Sequence, residues 1–139
     1  MPQPTLLIVD NDEGLVTALS IRLEDAGYRC ITANTGAQGL AAFKDNDIDL
    51  VITDLGMPAG NGVTLARDIR RQSEAPIVVL TGFRDEFKGE LRGVANISIV
   101  RKPCEQRELL ELIEAGLTLA GVPLPTQFEY QADQIAYES

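Results

Sequence analysis

Short apolar runs alternate along this chain with longer stretches in which apolar residues recur at helical spacing. Runs of this length predict strands, and the longer stretches predict amphipathic helices. The predicted strands cover residues 6–9, 28–33, 50–53, 77–80 and 97–100. The predicted helices run from Asp12 or Glu13 to Gly27, over residues 37–44, through residues 63–69 and over residues 105–119. This alternation predicts an α/β fold, a doubly wound parallel sheet of five strands with helices on both faces.

The helical stretches are not equally well defined. In the first, an apolar stripe is predicted to face the core; its members are Leu15, Ala18, Leu19, Ile21 and Leu23. Between the fourth and fifth strands, Gly89 and Gly93 interrupt a charged stretch. Because glycine lowers helix stability, we expect only a marginal, mobile helix there.

Polar residues follow four of the predicted strands. Asp10 and Asn11 come after the first strand and Asp54 after the third, while Thr81 follows the fourth and Lys102 the fifth. In the flavodoxin-like strand order 2-1-3-4-5, the first and third strands are neighbours, and ligands bind beyond the carboxyl ends of the strands. We therefore expect Asp10 and Asp54 to be adjacent, at the same edge as the hydroxyl and the ammonium group.

The acids predicted to meet at this edge would repel each other unless a cation lies between them, and an oxygen-rich acidic site suits Mg²⁺. A metal ion, an ammonium group and a hydroxyl together stabilise the oxygens of a phosphoryl group. One carboxylate can then be the nucleophile, as in enzymes that form an aspartyl phosphate. Asp54 is the better candidate because a tight, glycine-rich loop follows it and is expected to leave it open. Asp12 is better explained as a helix cap than as a ligand.

The charged residues restrict the chemistry that the chain can perform. The formal net charge is −9, and the chain contains no histidine. Ser-His and Cys-His catalysis and self-phosphorylation on imidazole are therefore excluded, so any phosphohistidine must belong to a partner. The acidic balance also argues against direct binding of nucleic acid, which normally uses a basic patch.

The length of 139 residues corresponds to one domain. Residues 1–121 are predicted to form it, and residues 122–139 to form a tail without an output domain. No apolar run is long enough for membrane insertion and the N-terminus does not resemble a signal peptide, so we expect a cytoplasmic protein. Cys30 and Cys104 are expected to be free thiols.

These strand-end residues resemble those of the receiver domain of response regulators in two-component signal transduction. The resemblance covers residues 6–119 and depends on Asp10 with Asn11, Asp54 in the sequence Asp-Leu-Gly-Met-Pro, Thr81 followed by Gly82, and Lys102 followed by Pro103. One such motif alone is weak, whereas the whole set in this order is specific. The resemblance implies a signalling protein that catalyses only its own phosphorylation and dephosphorylation.

The resemblance also implies a role for each matched residue. Asp54 would accept a phosphoryl group from a phosphohistidine of a sensor histidine kinase or of a histidine phosphotransfer protein, and a conformational change would then signal to a downstream protein. The groups implied as ligands of Mg²⁺ are Asp10, Asn11, Asp54 and the backbone carbonyl of Gly56. Thr81 and Lys102 would contact the phosphoryl group, and the Lys102–Pro103 peptide would be cis.

Three positions depart from the pattern of that family. Asn11 stands where an acidic metal ligand is usual, which predicts weak binding of Mg²⁺. Ile99 stands where an aromatic residue usually rotates, and Cys104 replaces the Phe that often follows the Lys-Pro pair. Because Ile99 has no ring to rotate, we expect the signal to be carried by ordering of residues 83–94.

Two other functions are compatible with parts of the sequence. Asp10, Asn11 and Asp12 after a strand resemble the Asp-x-Asp motif of haloacid dehalogenase-type phosphatases, with Asp10 as nucleophile and Asp12 as acid. Gly14 stands where Thr or Val is usual in that motif, and the chain leaves no room for a cap domain. The second alternative, suggested by Asn11, is a binding module that has lost phosphorylation. Retention of Asp54, Thr81 and Lys102 argues against it.

Overall fold

The computed structural model describes residues 3–57, 61–82 and 88–125. Within them, the strands are β1 (Thr5–Val9), β2 (Arg29–Ala33), β3 (Leu50–Asp54), β4 (Ile77–Thr81) and β5 (Ile97–Arg101). The helices are α1 (Glu13–Asp25), α2 (Gly36–Asp45), α3 (Asn61–Gln72) and α4 (Gln106–Leu119), with a 3₁₀ helix at Lys88–Leu91. No helix in these ranges is long and apolar enough to cross a membrane.

The strands form one parallel sheet with the order β2-β1-β3-β4-β5. This order confirms the predicted doubly wound sheet, in which each crossover returns the chain to the same end of the sheet. In the register of β1 against β3, Val9 lies beside Thr53. The residues that follow, Asp10 and Asp54, therefore leave the sheet side by side.

Helices cover both faces of the sheet and form a separate core with each. α1 and α4 pack on one face, where Leu19 and Ile113 belong to the same buried cluster. α2 and α3 pack on the other face, where Phe43 and Leu65 belong to a second buried cluster. β1, β3 and β4 are buried at every position, as expected for strands that are covered on two faces. These three strands give the residues at their carboxyl ends a closely packed support.

Helix α1 buries only part of the predicted stripe. Its buried residues are Val16, Leu19 and Leu23, whereas Ala18 and Ile21 are exposed. Residues spaced three and four apart lie on one face of a helix, so the buried set is one regular stripe. Apolar residues of α1 extend around more than one face, and tertiary packing selects which face is covered.

The segment that joins β4 to β5 has a single turn of 3₁₀ helix in its described part, residues 88–96. Leu91 is the one buried residue among positions 89–96. The marginal helix predicted for this region is therefore limited, in the described part, to Lys88–Leu91. Residues 83–87, which belong to the same prediction, lie outside the described residues.

Two arginines of α3 hold this segment in place. The guanidinium group of Arg67 donates a hydrogen bond to the carbonyl oxygen of Glu90. Arg70 donates from Nε to the carbonyl oxygen of Ala95 at 2.8 Å and from Nη2 to that of Asn96 at 3.3 Å. The segment is thus attached to α3 largely through long polar side chains.

The chain beyond α4 packs across the first core. Val122 and Leu124 pack against its buried residues, and Pro125 is buried beside Gly27. Gly27 has a φ of 101°, and a Cβ at this position would lie 2.6 Å from Cβ of Pro125. Both the backbone and the neighbouring proline therefore favour glycine there. The rest of the predicted tail, residues 126–139, lies outside the described residues.

Candidate functional site

Two carboxylates lie side by side beyond the ends of β1 and β3. The side chains of Asp10 and Asp54 are 5% and 11% exposed. One oxygen of each accepts a backbone hydrogen bond from its own loop. The amide of Asp12 lies 3.0 Å from Oδ1 of Asp10, and the amide of Gly56 lies 2.9 Å from Oδ1 of Asp54. The loops themselves therefore orient both carboxylates.

The ammonium group of Lys102 lies between the two carboxylates. Its Nζ is 3.1 Å from Oδ2 of Asp10 and 3.1 Å from Oδ2 of Asp54. Burial lowers the pKa of Lys102, but the hydrogen bonds and charges of the two acids outweigh burial and raise the pKa above its ordinary value. Lys102 is therefore the counter-ion of the acid pair, which makes the close approach of two buried carboxylates possible.

The backbone at the end of β5 brings Lys102 to this point. The amide of Lys102 donates a hydrogen bond to the carbonyl oxygen of Thr81 at 2.9 Å. The Lys102–Pro103 peptide bond is cis, as predicted. Thr81 is fully buried at the end of β4, the strand beside β3. The structure thus brings Thr81 and Lys102 to the same edge of the sheet as Asp10 and Asp54.

Two further residues with oxygen groups belong to the loops that follow β1 and β3. Asn11 directly follows Asp10, and Gly56 lies two residues after Asp54; both are exposed. Across the described ranges there is no group of three or more His, Cys, Asp or Glu side chains that could hold a metal ion. Two carboxylates, one amide and one backbone carbonyl are nevertheless all oxygen donors, the type that Mg²⁺ prefers. The donor set therefore fits Mg²⁺, with two charged ligands.

Asp12 is not part of the acid pair. Its Oδ1 accepts a hydrogen bond from the amide of Leu15 at 3.1 Å, so Asp12 caps the N-terminus of α1, as predicted. Asp10 is in turn the more buried of the paired acids. A phosphatase with Asp10 as nucleophile and Asp12 as acid would need both groups to face a substrate. The observed arrangement argues against that alternative.

Asp54 is less exposed than the sequence predicted. Leu55 and Met57 are buried, and Asp54 as a whole is 8% exposed. Residues 58–60 of the same loop lie outside the described residues. Asp54 is open only in comparison with Asp10, since its side chain has about twice the exposed fraction.

The departures near Lys102 are accommodated by packing. Ile99 is partly buried and packs against the second core. Cys30 and Cys104 are free thiols, as predicted. Burial, followed by the charge of Glu108, raises the pKa of Cys104 above its ordinary value. Cys104 packs against the first core, and a raised pKa lowers its fraction of reactive thiolate.

One residue beside the site was missed by the sequence reasoning. Gly62, in the first turn of α3, lies directly against the backbone of Asp54 and Leu55. In the sequence, Gly62 belongs to the glycine-rich stretch after Asp54 and directly precedes the helix predicted through residues 63–69, and glycine permits close approach of another backbone. That signal was present but does not by itself identify which backbone approaches.

Comparisons with known proteins agree with the resemblance seen in the sequence. A family model described as the response regulator receiver domain matches residues 6–114. The transcriptional regulatory protein GlrR of Escherichia coli K12 is 35% identical over 116 residues, which are 81% of this chain and 26% of GlrR. The chain spans between about a quarter and about half of the length of curated relatives that it matches.

Solved structures show the same similarity in three dimensions. Chemotaxis protein CheY4 of Vibrio cholerae has a TM-score of 0.76 and 30% identity, with 83% of this chain and 99% of that chain covered. Response regulator TrrA of Thermotoga maritima, solved in complex with Mg²⁺ and BeF, has a TM-score of 0.73 and 30% identity. That comparison covers 81% of this chain and 98% of TrrA.

Proposed function

The chain belongs to the response regulator receiver domain family, and from this premise we propose that Asp54 is its phosphoacceptor. One observation carries the proposal: Nζ of Lys102 lies 3.1 Å from an oxygen of each acid, Asp10 and Asp54, at the carboxyl edge of the sheet. A positive group is thus fixed where a transferred phosphoryl group would bring negative charge. Of the two acids, Asp54 is the more exposed and therefore the more accessible to a donor.

In the proposed reaction, the carboxylate of Asp54 attacks the phosphorus atom of a phosphohistidine. A bond forms between a carboxylate oxygen and phosphorus, and the phosphorus–nitrogen bond of the donor breaks with its electron pair left on the imidazole. Lys102 would offset the charge of the phosphoryl oxygens, and Thr81, on the neighbouring strand, would donate its hydroxyl to one of them. The contact of 3.1 Å between Nζ of Lys102 and Oδ2 of Asp54 supports a reaction that needs little rearrangement of these two residues.

Mg²⁺ is the proposed cofactor. Receiver domains typically bind Mg²⁺, and TrrA was solved as a Mg²⁺ complex. The groups that would hold the ion here are Asp10, Asn11, Asp54 and the carbonyl oxygen of Gly56. When bound, the ion supplies positive charge between the carboxylates and the phosphoryl oxygens. Asn11 contributes a neutral oxygen, so this chain is proposed to bind the ion weakly.

The phosphoryl donor is proposed to be a partner protein, because the chain has no histidine of its own. A sensor histidine kinase or a histidine phosphotransfer protein has the required phosphohistidine. A downstream protein would then read the phosphorylated state. The proposed catalytic activity of the chain is limited to its own phosphorylation and dephosphorylation.

Labelling with a small phosphodonor tests the assignment of Asp54. The parent, incubated with Mg²⁺ and acetyl phosphate, should gain one phosphoryl group in the peptide that contains Asp54, and Asp54→Asn should gain none. Asp49→Asn is a matched control, because Asp49 is a carboxylate at the opposite end of β3 whose Oδ2 accepts the amide of Thr5 at 2.8 Å. This control should still be labelled.

Two results would refute the assignment. Labelling that persists in Asp54→Asn would place the phosphoryl group elsewhere. A parent that stays unlabelled while it binds Mg²⁺ would favour the binding module that has lost phosphorylation.

A further inference from the structure

Helix α3 begins directly against the backbone of the proposed phosphoacceptor. Gly62 is buried in the first turn of α3. A Cβ at this position would overlap the carbonyl oxygen of Asp54 and lie 2.9 Å from Cα of Leu55 and 3.1 Å from the carbonyl carbon of Asp54. All three are backbone atoms, which cannot rotate aside as a side chain can. Any residue other than glycine would therefore displace either α3 or the peptide that joins Asp54 to Leu55.

That peptide is closely connected to the carboxylate of Asp54. The N–H group of this peptide, which belongs to Leu55, donates a hydrogen bond to the carbonyl oxygen of Leu80 at 3.2 Å. One residue further, the amide of Gly56 donates to Oδ1 of Asp54 at 2.9 Å. A shift of the peptide would move the carboxylate relative to Lys102, which lies on a different strand. The distance of 3.1 Å between Nζ of Lys102 and Oδ2 of Asp54 thus depends on how closely α3 approaches β3.

We propose that Gly62 is a positioning residue for phosphorylation of Asp54. The absence of a side chain at Gly62 lets α3 hold the end of β3 where the carboxylate meets Lys102 and Asp10. Gly62 acts through Asp54 and contacts none of the reacting atoms. This inference rests on the proposed function of Asp54 and adds the element that fixes its position.

The chain offers a matched control in Gly116. This glycine lies in α4 and packs against the other end of β3, where a Cβ would lie 3.1 Å from Cδ1 of Leu50 and 3.1 Å from Cβ of Pro76. Its neighbours are side-chain atoms, and Leu50 is four residues before Asp54. Gly116→Ala therefore crowds the same strand without touching the backbone of the acceptor.

The test compares labelling rates of the parent, Gly62→Ala and Gly116→Ala with acetyl phosphate at saturating Mg²⁺. Each rate is divided by the fraction of folded protein, which urea denaturation followed by circular dichroism provides. We expect Gly62→Ala to be about tenfold to a hundredfold slower per folded molecule, because a misplacement on the order of 1 Å has an effect of this size. Gly116→Ala should stay within about twofold of the parent, since its acceptor is not displaced.

Three results would overturn the inference. They are a Gly62→Ala protein that labels at the parent's rate per folded molecule, equal slowing in both variants, and a Gly62→Ala protein that does not fold. The second would assign the loss to stability, and the third would make Gly62 a residue needed for folding as a whole. Absence of labelling in the parent is a separate outcome that refutes the proposed function itself and this inference with it.

Discussion

The two sides of the site are built in different ways. On the acid side, formed by Asp10 and Asp54 with β1 and β3, the strands are buried at every position and the loops donate hydrogen bonds to both carboxylates. On the lysine side, formed by Lys102 with β5 and residues 88–96, β5 is fully buried only at Val100. Apolar packing and backbone hydrogen bonds fix the acid side. On the lysine side, β5 pairs with β4, but residues 88–96 are held in part by arginine side chains from α3.

This difference indicates a division of roles. Apolar packing at native density leaves little freedom for displacement, so the acid side is suited to hold reacting groups in place. A segment with few buried apolar residues opens at low free-energy cost, so residues 88–96 are suited to respond to phosphorylation. Lys102 contacts both carboxylates from the other side of the site, and it joins the two parts.

The substitution expected to have the largest effect on stability is Lys102→Met, which removes the link between the two sides. It leaves two carboxylates close together without their counter-ion. We expect a loss of about 2 kcal/mol in the free energy of unfolding at neutral pH, less than the roughly 3–5 kcal/mol for fully buried pairs because Lys102 is partly exposed. Urea denaturation measures it, with the exposed Lys44→Met as control. Equal stability of the two variants would show that Lys102 does not offset the acids.

The raised pKa of Lys102 gives this link a defined pH dependence. Since the pKa is higher in the folded protein than the ordinary value of 10.5, the stabilisation is complete below pH 10.5 and decreases as the pH rises through the folded pKa. Burial raises the pKa values of Tyr28 and Cys30 to about 12, so ionisation of these residues also lowers the stability of the folded protein in a similar pH range. Both residues are present in the parent and in Lys102→Met, so their effect cancels in the difference. The stability difference between parent and Lys102→Met should therefore shrink above pH 10.5. A difference that grows there would contradict the stated direction of the pKa shift.

Arg70→Met should loosen the lysine side alone. Arg70 bonds to the carbonyl oxygens of Ala95 and Asn96, and hydrogen bonds from a charged group that is partly exposed predict a loss of about 1–2 kcal/mol. Arg71→Met is the control, because Arg71 is 78% exposed and makes an ion pair with Asp68, whose loss should cost about 0.5 kcal/mol or less. Urea denaturation separates the two variants. Similar losses would mean that Arg70 does not anchor this segment.

Asn11→Asp should strengthen metal binding on the acid side. A third carboxylate adds attraction for Mg²⁺, which we expect to be about 1 kcal/mol, or roughly fivefold in affinity, at a partly solvated site. Isothermal titration calorimetry measures the change, and Asn46→Asp, at the C-terminal end of α2, adds the same charge away from the site as control. Mg²⁺ binding that is no tighter in Asn11→Asp than in the parent would contradict the role given to Asn11.

The smallest effect is expected for Thr53→Val, which tests whether the acid side depends on packing. The hydroxyl of Thr53 is buried and has no hydrogen-bond partner among the residues that the structure describes. Its removal should leave stability unchanged or raise it by up to about 1 kcal/mol, because a buried polar group without a partner is unfavourable. Thermal unfolding measures this change, and phosphorylation of Asp54 should be unaffected. A clear loss of stability would reveal a polar contact in this core.

The fold and the place of the acids follow from the sequence, but several packing details do not. Strand order alone predicted that Asp10 and Asp54 would be neighbours, because parallel strands end at one edge of the sheet. The buried stripe of α1 was predicted only in part: Leu19 and Leu23 are buried, but Ala18 and Ile21 are exposed, since apolar residues surround much of that helix. The approach of Gly62 to Asp54 depends on how α3 packs, which no local pattern specifies. The counter-ion position of Lys102 likewise depends on the path of the chain after β5.

Hydrogen exchange with and without Mg²⁺ and beryllofluoride, a phosphoryl mimic, tests the division of roles most directly. Residues 88–96 should exchange more slowly when the mimic is bound to the parent, because the lysine side becomes ordered around the new charge. The exchange rates of amides in β1 and β3 should change only as much as the global stability requires. In Asp54→Asn, exchange should not respond to the mimic in either part. Unchanged exchange in residues 88–96, or a response confined to β1 and β3, would contradict the account of a fixed acid side and a responsive lysine side.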